Sequence, residues 1–188
     1  TCNLLFDKGG ICVSQLVIDV QGLCKYYEGR TILQNVNLRV EQGDAIAFIG
    51  HNGTGKSTML RMLSGLTPVS NGKIYRNPHL KFAFIPEHFP KLNLTVEQYI
   101  ECCGLVEGMN KNQVHARADE LYSLFYMEDM VDVPIKHLSK GTIQKVAVIQ
   151  ALLTRPDVML LDEPLAGQDI KSQKNFIKMV KDLNDLGV

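Results

Sequence analysis

The chain of 188 residues is long enough for about one domain with a buried core. Its 20 basic residues balance 20 acidic ones, so no basic excess marks it as a nucleic-acid binder. No stretch approaches the ~20 apolar residues of a membrane span, and 45% hydrophobic with 21% charged is ordinary globular composition. Residues 1–14 lack the basic start and unbroken apolar run of a signal peptide and read as a leader or junction segment. The cysteines, Cys2, Cys12, Cys24, Cys102 and Cys103, form no CxxC pair. Being odd in number they form no complete disulfide framework, and they read as small apolar residues in a reducing compartment.

From Gln15 the chain is β-rich: LVIDV, NVNLRV and DAIAFIG alternate or cluster apolar residues, with turn signals at Glu28-Gly29 and Gln42-Gly43. The third run, expected as a strand, leads into GHNGTGKST, which comprises Gly50, His51, Asn52, Gly53, Thr54, Gly55, Lys56, Ser57 and Thr58. The stretch matches the pattern G-x-x-x-x-G-K-[ST] in full. The glycines let backbone amides approach a phosphate with no Cβ in the way, and a following helix adds its positive end. Lys56 supplies a mobile cation for the phosphates, and the Ser57 hydroxyl is a ligand for Mg2+. Apolar residues from Met59 to Leu66 predict that helix over 57–66. Binding of a nucleoside triphosphate follows from this context.

KIY and FAFI read as two further short strands, and residues 94–130 as helical, with Val114, Ala118, Leu121, Leu124 and Phe125 on one face. Ser139 can cap a helix running to Leu153. VMLL, residues 158–161, is a compact apolar strand that delivers Asp162 at its carboxyl end, where ligands of α/β sheets sit. Asp162 is suited to hold Mg2+, and Glu163 beside it to orient and deprotonate an attacking water. An amphipathic helix is expected over about 170–186.

The element that selects among phosphate-loop classes is HLSKGTIQKV, residues 137–146. Here the sequence resembles the ATP-binding cassette (ABC) family, which carries an LSGGQ-type signature in this place. The stretch reads Leu138-Ser139-Lys140-Gly141-Thr142, so Lys140 stands at the first glycine and Thr142 at the glutamine. The resemblance covers 16–188. It implies an α/β fold: a P-loop NTPase core, an N-terminal antiparallel β subdomain and a helical subdomain inserted at about 88–140. Further C-terminal strands are expected beyond Val188.

The resemblance also implies that Tyr27 stacks on adenine, with Tyr26 as the alternative. It implies that Ser139 and Gly141 close over the ATP of a second nucleotide-binding subunit in a head-to-tail homodimer. Glu87 stands where the family usually places a glutamine that touches Mg2+, and Leu165 to Asp169 matches the loop after the second acidic element. The family's later histidine, which contacts the γ-phosphate, has no counterpart among the five histidines, and its strand is expected beyond residue 188. The expected function is an ATPase subunit on the cytoplasmic face of a membrane. It would drive a separate transmembrane subunit, an exporter, without contacting nucleic acid. A soluble ATPase of the same family acting on ribosomes or DNA, and a P-loop small-molecule kinase, are the alternatives.

Overall fold

The computed structural model describes residues 15–165 and 170–185, and the described chain divides into two compact units after Leu80. In the first unit, β1 (Leu16–Tyr27) and β2 (Arg30–Glu41) form an antiparallel hairpin across Glu28-Gly29. Strand β3 (Asn71–Arg76) pairs with the other edge of β1, giving the order β2-β1-β3. The pairing Ile18↔Val40 and Val20↔Leu38 gives way to shifted register after Val20, and the β1–β3 ladder shifts between Gln21 and Cys24. Both irregularities flank Gly22, whose φ is 57°. Opposite it, a Cβ at Gly72 would stand 2.5 Å from the Gly22 carbonyl oxygen, so only glycine allows the two strands to approach there.

Between β2 and β3 lies helix α1 (Lys56–Leu63), which buries Met59, Leu60, Met62 and Leu63. It ends three residues before the predicted boundary, because Gly65 turns left-handed at φ 83° and Leu66 is left exposed. The Arg76 guanidinium, carried by β3, donates to the carbonyls of Leu63 and Met62 and so caps the negative end of the helix. Residues 44–50 are the clear departure from expectation. DAIAFIG makes no ladder with any described strand, and Ile49 is 93% exposed. Its alternation expresses β propensity, but a strand exists only through a hydrogen-bonded neighbour.

The second unit carries a parallel pair, β4 (Phe82–Ile85) and β5 (Val158–Leu161), registered Ile85↔Leu161. Its described residues form four α-helices: α2 (Val96–Val106), α3 (Lys111–Phe125), α4 (Lys140–Leu152) and α5 (Ile170–Asp185). The predicted helical stretch 94–130 is thus two helices joined by residues 107–110. Each starts with a reciprocal capping box, Thr95 with Gln98 and Asn110 with Gln113. Ile85, Ile100, Val114, Leu121, Val146 and Ile149 lie at the centre of the core, which Phe176 of α5 joins. Helices α2 and α3 meet at Gly104, where a Cβ would overlap the methyls of Val114. No described helix is long and apolar enough to cross a membrane.

Candidate functional site

In the first unit, the glycine-rich loop is built by local geometry. Gly55 caps α1 in the left-handed conformation, φ 91°, and its carbonyl accepts the Met59 amide at 2.8 Å. A Cβ on Gly55 would press within 2.9 Å of Ile32 and 3.1 Å of Leu33, so the loop lies directly on β2. Thr54 closes the turn, its hydroxyl donating to the His51 carbonyl at 2.8 Å. A side chain at Gly50 would meet that same hydroxyl oxygen at 2.8 Å. Lys56 folds back over the loop, its Nζ donating to the carbonyls of Gly50 at 3.0 Å and His51 at 3.3 Å. The exposed loop of His51, Asn52, Gly53 and Thr54 therefore stands at the positive end of a helix, with an ammonium group held over it. Ser57 and Thr58, in the first turn of α1, are half-buried.

Tyr27 closes β1 in the same unit and is 46% exposed; Tyr26, on the other side of the strand, is 44% exposed. The residue beneath Tyr27 is not marked by any sequence motif. Lys25 is only 7% exposed, and its ammonium lies 4.7 Å from the Tyr27 ring centroid while donating to the Pro68 carbonyl at 2.8 Å. A lysine beside the buried Cys24 in a strand was the only signal available.

In the second unit, the carboxyl ends of the parallel pair carry the acidic residues. Asp162 directly follows β5, and its amide extends the ladder to the Ile85 carbonyl at 2.9 Å. Its side chain is fully buried, and neither carboxylate oxygen has a hydrogen-bond partner among the described residues. Glu87 leaves the end of β4 two residues past Ile85, half-buried, its Oε1 3.5 Å from His88 Nδ1. The strand pairing thus brings Glu87 and Asp162 to the same end of one sheet. Glu163 adopts φ 45°, a left-handed conformation that costs a non-glycine residue about 1 kcal/mol. No group of three or more His, Cys, Asp or Glu among the described residues could cage a metal unaided. A buried carboxylate with no donor among the described residues nonetheless fits Mg2+, which is held by one or two carboxylates together with phosphate oxygens and water.

Ser139 caps α4, its Oγ accepting the Thr142 amide at 3.2 Å and lying 2.7 Å from the Thr142 hydroxyl. Thr142 therefore closes a local hydroxyl pair at the signature turn. Gly141 is half-buried in the first turn of α4. Of the loop 165–169, residues 166–169 fall outside the described residues, and Asp169 with them.

The profile described as ABC transporter matches residues 33–166, which span both acidic strand ends, the glycine loop and the signature turn. The chain belongs to the ABC transporter family. Among relatives of this ABC protein, the zinc import ATP-binding protein ZnuC of Halorhodospira halophila is 32% identical over 167 residues, covering 87% of this chain and 62% of that protein. ZnuC of Vibrio cholerae is 31% identical over 174 residues, covering 90% and 63%. The chain spans under two thirds of the length of such curated relatives. A solved ATP-binding subunit of an ABC transporter superposes with TM-score 0.76 at 28% identity, covering 92% of this chain and 76% of that one. A nucleotide-free ATP-binding cassette superposes with TM-score 0.81 at 21% identity, covering 93% and 79%, which speaks to the fold. The α/β P-loop fold expected from the sequence is the fold of these ABC neighbours. The expectation of an exporter is not supported, because the relatives are named for import.

Proposed function

We propose that this chain is the ATP-binding and ATP-hydrolysing part of an importer, working from the cytoplasmic face of a membrane on a separate transmembrane subunit. The names of its relatives favour zinc as the imported ion. The observation that carries the reading is the folded phosphate loop: left-handed Gly53 and Gly55 at the start of α1, with Lys56 held over the loop carbonyls. Amides at that helix start receive the β- and γ-phosphates, and Lys56 moves from the carbonyls onto them. Tyr27 offers its open face to adenine. Ser57, Asp162 and Glu87 each carry an oxygen that would suit Mg2+ as a ligand. Bound Mg2+ would neutralise charge that develops on the transferring phosphoryl group.

Glu163 accepts the proton of the attacking water. Ser139 and Gly141 at the start of α4 face the triphosphate held by a second copy of the chain, so two nucleotides bridge a head-to-tail dimer. Calorimetric titration with MgATP tests the reading. Dissociation constants of about 1 µM–1 mM are expected, the ordinary range for enzyme substrates. Absence of heat with the parent chain at millimolar nucleotide would overturn it.

A further inference from the structure

We propose that Lys25 is a positioning residue for the nucleotide base, acting through Tyr27; the proposal rests on the reading of the glycine loop and Tyr27 as an ATP site. Lys25 and Tyr27 are two residues apart on β1 and so share one face of the strand. The ammonium lies 4.7 Å from the ring centroid, inside the range of a cation–π contact. It covers one face of the Tyr27 ring, and the residue remains 46% exposed. Burying a cation is costly unless it is partnered. Among the described residues, the partners of Lys25 are the Tyr27 ring and the Pro68 carbonyl at 2.8 Å, with no carboxylate.

Pro68 lies in the segment leaving α1, the helix whose other end is the phosphate loop. One buried ammonium therefore bonds both to the platform for the base and to the exit of the helix that receives the phosphates. It fixes the rotamer of Tyr27, so that one ring face is presented to a purine. It also fixes the distance between that face and the triphosphate cradle. A bound ATP then orders neither element.

The test compares ATP with inorganic tripolyphosphate, which has the phosphates and no base, by calorimetry in the presence of Mg2+. Lys25→Met keeps chain length and removes the charge. It should weaken ATP by about three- to tenfold, the size of ordering one rotamer-rich side chain, and leave tripolyphosphate unchanged. Lys25→Arg keeps the cation over the ring and should restore most of the ATP affinity. In a Tyr27→Ala background, Lys25→Met should have no further effect, because the base contact it serves is gone.

A merely structural role would move other readouts. The thermal midpoint of Lys25→Met should equal or exceed that of the parent, since an apolar chain replaces a buried cation. Equal losses for ATP and tripolyphosphate, or a full loss persisting in the Tyr27→Ala background, overturn the proposal. If Tyr27→Ala alone leaves the ratio of the two affinities unchanged while Lys56→Ala weakens both, the platform fails and the phosphate site stands. If Lys56→Ala leaves tripolyphosphate binding intact, the underlying site reading fails first, and this proposal with it.

Discussion

Lys56 donates to the carbonyls of Gly50 and His51, neutral acceptors of its own loop. A triphosphate oxygen is a stronger acceptor, because hydrogen bonds between ionised groups are worth roughly 1.5–3 kcal/mol. Lys56→Ala should therefore weaken ATP by about 10- to 150-fold in a calorimetric titration, with little change in thermal midpoint, since the side chain also leaves an exposed loop. Glu87 presents a second residue-level question, a carboxylate where a neutral amide is usual in the family. Glu87 and Asp162 place two acidic groups at the same end of the β4–β5 pair. Glu87→Gln should keep ATP binding and lower the Mg2+ concentration for half-maximal activity; an unchanged or higher requirement would remove Glu87 from the metal site.

Among the elements, α2 and α3 pack where Gly104 meets Val114. Alanine gains up to about 1 kcal/mol of helix propensity over glycine. The new methyl would overlap a β-branched side chain that has little rotamer freedom, and overpacking typically costs about 1–3 kcal/mol. The clash wins, so Gly104→Ala should lower the urea midpoint, and Val114→Ala in the same chain should recover part of it. Tyr99 on α2 and Tyr122 on α3 give a pH test. Burial raises both phenol pKa values, with a further contribution from Cys103 at Tyr99 and from Glu97 at Tyr122. A group with a raised folded pKa contributes full stability below its unfolded value, about 10 for tyrosine, and loses it as pH rises further. Unfolding free energy should hold up to that point and fall above it, and Tyr122→Phe should flatten the fall.

Much of this was legible because the signals were local. The phosphate loop, the cap at Ser139 and the apolar run before Asp162 each declare themselves within a few residues. The boxes Thr95-x-x-Gln98 and Asn110-x-x-Gln113 carried readable boundaries that the broad helical periodicity of 94–130 concealed. What sequence could not supply depends on neighbours distant in the chain: the lack of a ladder partner for 44–50 among the described strands, the cap that Arg76 lends α1, and the cation beneath Tyr27.

At the scale of the whole molecule, the chain is two compact units, with the phosphate loop in one and the acidic strand ends and signature turn in the other. Glu163→Gln keeps the shape of the side chain and removes the proposed base. Under MgATP it should double the mass seen by light scattering, and it should stay monomeric with ADP. A variant that binds ATP yet remains monomeric would contradict the head-to-tail arrangement. Asp162 links such ligand effects to folding itself. Its carboxyl group is buried, and no described group donates to it, a position in which an unpartnered carboxylate is costly. A divalent ion that binds only the native state would offset that cost, and the melting temperature should climb with the logarithm of Mg2+ concentration. Asp162→Asn should melt higher than the parent in chelator and show little response to the ion. Should Asp162 hold the ion as proposed, the residue suited to the metal is also one whose burial opposes folding, and magnesium would then support the fold as well as the chemistry.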